Sequence, residues 1–251
     1  MSLVVTHTAI YILLIIFAAT FVRSAIGFGE ALVAVPLLAS VLPVREAAPL
    51  AVLMSITVAA VVVAQDWKKI HLRSALWLLL PTLAGIPLGL LLLAHGPQQL
   101  VKAILGAFII AFAAYSLIGR APMELERDSR PLLLTCGFFA GVFGGAYGMN
   151  GPPLVIYGTM RRWSAQHFRA TLQAYFLPAS LIGVAGYWLT GLWTTAVTHD
   201  YLIALPAAIP AVFLGRFANH RLSGGIFTKC VYAALCGIGA LLLMQALRPH
   251  P

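Results

Sequence analysis

Charge is what this sequence has least of: only 9% of its 251 residues are Asp, Glu, Lys or Arg, and just seven are acidic. Soluble domains carry about a quarter charged residues, so a soluble globular fold is excluded. Cysteine is scarce as well. Cys136, Cys230 and Cys236 lie in or beside apolar runs without metal-ligand spacing and read as small hydrophobes. The seven histidines form no HExxH or similar pair, so no metal site is assigned. No GxxxxGK(S/T) motif offers a nucleotide site, no cofactor is implied, and no nucleophile–base set marks an intramembrane enzyme. No basic stretch precedes the first apolar run, so no cleavable signal is expected.

Positive charge is present but dispersed. The net charge is +9, yet the sixteen Lys and Arg stand in small groups between apolar runs. Nucleic-acid binding needs them gathered. Dispersed in this way they are topology signals.

What fills the chain is aliphatic: 61% of its residues are hydrophobic. Runs at 47–64, 74–94, 101–119, 171–190, 201–215 and 230–247 read as membrane helices. Two further segments, 9–42 and 132–160, are too long for one ordinary crossing of about 20 residues. Glycines interrupt both. The basic residues distinguish a broken crossing from a hairpin. With two hairpins, the loops 65–73, 120–131, 161–170 and 216–229 share one side and hold twelve Lys and Arg, against Arg45, Lys102 and Arg248 on the other. With two single crossings the split is seven to eight. The positive-inside rule selects the hairpins.

The fold expected is therefore an all-α integral membrane protein of two inverted repeats, each a glycine-broken helical hairpin followed by three transmembrane helices. The first repeat covers residues 1–119, a cytoplasmic linker 120–131, and the second repeat 132–251. Both termini are expected outside the cytoplasmic (inner) membrane. Echoes support the duplication: "GFGEALVAVP" at 27–36 against "GMNGPPLVIY" at 148–157, and the pairs Pro81/Pro87 and Pro206/Pro210, followed by Gly89 and Gly215.

Interrupted helices at matching places in two inverted halves point to a transporter's site near the bilayer midplane. Each second arm would start there, turning N–H groups and a positive dipole end inward, which suits an anion. The expected substrate-binding residues are Gly27 and Gly29 at the first tip, Tyr147, Gly148, Asn150 and Gly151 at the second, and Gln173 and Tyr175 on the helix that follows. Asn150 reads as an N-cap, with Pro152 and Pro153 in the first turn. Glu30 and Arg23, seven residues apart across the first break, cost about 2.5–3.5 kcal/mol each at bilayer depth. Two readings stay open: an ion pair that clasps the turn, or Glu30 seated at the start of the first arm as a proton-coupling group. The alternative to pairing is an Arg23 that snorkels toward an interface. Ser55 and Thr57 read as interhelical glue.

At these residues, "AIGFGEALVAVPLL" at 25–38 and "GVFGGAYGMNGPPLVIYG" at 141–158, the chain resembles the TauE/SafE family of membrane permeases. The resemblance runs over essentially its whole length. It implies movement of small anions such as sulfite, sulfonates and carboxylates. Glu30 and the Asn150–Pro153 stretch stand where the family pattern would place more glycine. The reading is a secondary transporter for a small organic or sulfur-containing anion, working by alternating access with protons as coupling ion. Its partners are that anion and the lipid bilayer, with a second copy of the chain as a candidate for a homodimer. The competing readings are a passive anion channel and a non-transporting assembly or scaffold protein.

Overall fold

The computed structural model describes residues 2–26, 28–66, 72–118, 125, 129–161, 165–221 and 225–247. Gly27, most of the 120–131 linker and the tips of the other basic loops lie outside the described residues. Among those described there are ten helices and no strand: α1 Ser2–Ile26, α2 Glu30–Leu38, α3 Val44–Asp66, α4 Leu72–His95, α5 Gln98–Ile118, α6 Arg130–Tyr147, α7 Gly151–Met160, α8 Ala165–Leu189, α9 Thr195–Arg221 and α10 Gly225–Leu247. Helices alone satisfy their own backbone groups in lipid, and these sequences are rich in Leu, Ala and Ile.

Among the described residues, six stretches are long and apolar enough to cross a bilayer: His7–Ile26, Val44–Val61, Leu78–His95, Gln98–Ile118, Thr195–Ala218 and Lys229–Leu247. On α8 the apolar stretch is shorter, Tyr175–Leu189. The prolines foreseen inside membrane helices are there, Pro81 and Pro87 in α4 and Pro206 and Pro210 in α9.

Both interrupted segments break as their glycines dictate. Gly29 (φ 96°) and Gly148 (φ 67°) occupy the left-handed region that side-chain-bearing residues avoid. Gly148 ends α6 by an αL closure, its N–H donating to the Gly144 carbonyl at 2.8 Å. The arms that follow, α2 and α7, have nine and ten residues. At 1.5 Å per residue that is about 14–15 Å, half of a hydrocarbon core. At the far end of the second hairpin the chain closes on itself. Leu125 donates to the Met160 carbonyl at 3.0 Å, and Arg161 Nη1 donates to the Leu125 carbonyl at 2.8 Å. The entry to α6 and the exit from α7 therefore lie at the same end.

Helix packing repeats itself. Numbered as two runs of five, α4 lies along α6 and α1 along α9, while α5 pairs with α10 and α3 with α8. Small residues make the closest seams, as membrane helices require when the hydrophobic effect no longer drives them together. Gly85 and Gly89 on α4 face Gly137, Gly141 and Gly145 on α6, and a Cβ at Gly85 or Gly89 would strike the α6 backbone. Gly106 and Gly239 do the same for α5 and α10. Large apolar side chains such as Leu80, Leu88, Leu202, Ile209 and Phe213 are exposed around the outside, where lipid would cover them.

Candidate functional site

The starts of α2 and α7 converge on one cavity of about 30 Å³, which is room for no more than a water or two or the oxygens of a small group. It is lined by Arg23, residues 28–32, Ser55, residues 148–152, Phe176 and Ser180. Arg23, Gly29, Glu30, Gly148, Asn150 and Gly151, all foreseen, meet there.

The first tip is charged. Arg23 is 5% exposed and Glu30 2%, an ion pair closed at 2.6 Å between Nη1 and Oε2. The carboxylate is also held by Thr20 Oγ1, donating to Oε1 at 2.8 Å, and by Ser55 Oγ, donating to Oε2 at 3.1 Å. Arg23 Nη1 further donates to the Ser55 carbonyl at 3.1 Å. Glu30 is thus satisfied from three side chains on two helices, and Ser55 clasps this pair as well as joining α3 to it. Arg23 is not fully satisfied: its Nη2 is buried and has no hydrogen-bond partner. A buried donor left unpaired costs about 1–3 kcal/mol, more when charged.

The backbone at the same tip is also unpaired. The first intrahelical bond of α2 runs from Val33 N–H to the Gly29 carbonyl at 3.1 Å, and no side chain caps the helix. The N–H groups of Glu30, Ala31 and Leu32 therefore have no intrahelical partner, and all three residues line the cavity.

The second tip differs. Asn150 stands at the N-cap position of α7 but has helical dihedrals (φ −71°, ψ −23°) and makes no capping bond. Its side chain turns away, lying against Gly144, where a Cβ would collide with it, and hydrogen-bonds Tyr175. The Tyr175 hydroxyl is 2.9 Å from Thr82 Oγ1, and Thr82 donates to the Gly137 carbonyl at 3.0 Å. A relay from α4 through α8 thus holds Asn150 in place. Pro152 and Pro153 have no N–H to offer, which leaves Gly151 as the one first-turn donor.

The other expected residues fall elsewhere. Tyr147 is fully buried, and its hydroxyl donates to the Val101 carbonyl at 2.9 Å, tying α6 to α5 outside the cavity. Tyr175 backs Asn150 rather than lining the cavity. Gln173 is on α8, with its side chain outside the described residues. Sequence reasoning passed over Phe28 and Phe176, whose rings flank Gly151, and Ser180. Aromatics flanking a glycine break were the available signal.

Compared with known proteins, residues 12–242 match the family described as Sulfite exporter TauE/SafE. The chain belongs to the TauE/SafE family. It is similar to the probable sulfite/organosulfonate exporter TauE of Cupriavidus necator, 23% identical over 235 residues that cover 92% of this chain and 91% of the relative. No solved structure matches. A TauE/SafE chain is a multi-pass membrane exporter and not an enzyme, which agrees with the helices and their apolar surface.

Proposed function

We propose that this TauE/SafE protein exports a small sulfur-containing or carboxylate anion across the cytoplasmic membrane, binding it between the two hairpin tips. The observation that carries the reading is the convergence of two interrupted helices on a cavity beside a buried arginine with an unpaired nitrogen. Alternating access with proton coupling through Glu30 and Arg23 belongs to the same proposal, as do the inverted orientation of the halves and the external termini. The test is a thermal-shift screen of the purified protein against sulfite, sulfonates and short dicarboxylates, since a ligand that binds only the folded state stabilises it. No shift with any of them, together with no flux in proteoliposomes, would leave a scaffold role.

The topology has its own check. Single cysteines at Ser164 and Ser223 should be labelled only from the cytoplasm, and one at Thr194 only from outside. Labelling at 164 and 194 from the same side would remove the inverted repeat. For coupling, Glu30→Gln retains an oxygen for Arg23 and should give transport without pH dependence; an unchanged pH profile of flux would take the coupling role from Glu30. Gln173→Ala should weaken anion binding at least tenfold by calorimetry, on the scale of a hydrogen bond to a charged group, and Asn150→Ala should weaken it as much by releasing the α7 start that the Asn150 side chain holds against Gly144 and Tyr175. Wild-type affinity in both would move the site off the second tip.

A further inference from the structure

The cavity is too small for an anion that carries an organic group, so the rest of such a ligand has to reach out of it. With about 30 Å³ it holds the oxygens of a head group and little more. The charged and amide side chains of its lining, Arg23, Glu30 and Asn150, are buried. Its half-buried side chains are Phe28, Ser55, Phe176 and Ser180, so the way out runs past them. Two of these four are aromatic and come from different elements, Phe28 from the first break and Phe176 from α8.

The two rings meet over the start of α7. A Cβ at Gly151 would stand 3.5 Å from Phe176 Cζ and 3.8 Å from Phe28 Cδ2. Those are ordinary contact distances for a methyl group bonded to Gly151, and they leave no passage for a separate alkyl chain between Gly151 and the rings. Phe176 is also backed by a fixed neighbour. Its ring packs edge-on to Tyr175, with centroids 5.8 Å apart. The Tyr175 hydroxyl is itself held by Thr82 and Asn150. Both Phe28 and Phe176 lie against the apolar cluster that contains Tyr175, so neither ring can turn aside without disturbing a packed interior.

We infer that Phe28 and Phe176 are specificity-determining residues: an aromatic filter over Gly151 that limits the length of the organic group attached to the bound anion. This rests on the reading that the cavity holds an anionic head, and it adds what that head can be attached to. Phe176, fixed through Tyr175, sets the limit. A substituent that has to displace a ring is penalised as an oversized group is in any fitted apolar pocket, where one methylene counts for about 10–200-fold.

The experiment is calorimetry on the purified full chain with sulfite, methanesulfonate, ethanesulfonate and butanesulfonate, in which the head stays nearly constant while the tail grows. Wild type should bind butanesulfonate about tenfold or more weakly than methanesulfonate. Phe176→Ala should raise the ratio of butanesulfonate to methanesulfonate affinity by about tenfold or more. Phe176→Leu keeps an apolar side chain in the packed interior and should raise the same ratio by a smaller factor, which keeps the test open where the alanine variant fails to fold. Gly151→Ala acts in the opposite direction: its methyl fits against both rings, and it should lower the ratio of ethanesulfonate to methanesulfonate affinity. A Phe176 that served only packing would shift melting and leave every ratio at its wild-type value. Butanesulfonate bound by wild type as tightly as methanesulfonate, or ratios unchanged in both Phe176 variants, overturns the inference while anion binding stands. Wild type that binds none of the four overturns the sulfur-anion reading and the filter with it.

Discussion

Gly141→Ala is expected to yield almost no folded protein. A methyl group there would meet the Thr82 carbonyl oxygen, the Gly85 Cα and the Ile86 nitrogen, all backbone atoms of α4. Backbone cannot swing aside as a side chain can. Overpacking in ordinary cores costs about 1–3 kcal/mol, and this contact, rigid on both faces, belongs at or above the top of that range. The seam also sets the tilt of α6, hence the position of Gly148 and Asn150 at the tip. The control is Gly183→Ala on α8, where a Cβ meets nothing within 4 Å. That change should be neutral or stabilising by about 0.4–1 kcal/mol, because it restricts the unfolded chain. Melting in detergent and elution on size exclusion would separate the two, and a Gly141→Ala protein that melts like wild type would mean the helices are not packed this closely.

Arg23→Ala should be nearly as damaging, for an electrostatic reason. It leaves the Glu30 carboxylate buried with two hydroxyl donors and no counter-charge, and breaking a buried pair from one side costs about 3–5 kcal/mol. Removing both charges costs far less, because no buried ion then remains. The double Arg23→Gln/Glu30→Gln protein should therefore melt well above Arg23→Ala. The measurement is the difference between the two melting curves. If both melt alike, the pair adds nothing to the fold and Arg23 is held by something else.

The membrane helices were legible because lipid imposes length and apolarity on them; α3, α4, α5 and α10 match their apolar runs closely, and α9 runs past its own at both ends. Both breaks were legible because only glycine sits easily at positive φ. Which helix lies on which was not, since seams such as Gly85–Gly141 join residues far apart in sequence. Asn150 shows the limit at a single residue. Its local sequence says N-cap, but Gly144 opens a space beside it and Tyr175 offers a hydroxyl, so the side chain turns there. The prolines beside it carried a second signal: residues without an N–H weaken a helix start as a donor site even while they favour the start itself.

The pairing of α4 with α6 and of α1 with α9 also bears on mechanics. Most of the close packing in this molecule joins one half to the other, so neither half owns a core and the two are laced rather than hinged. Rocking one half against the other, a common transporter stroke, would shear backbone against backbone along the seams of α4 with α6 and α5 with α10. What the lacing leaves out is small and central: α2 and α7, each half a membrane long, take no part in those seams.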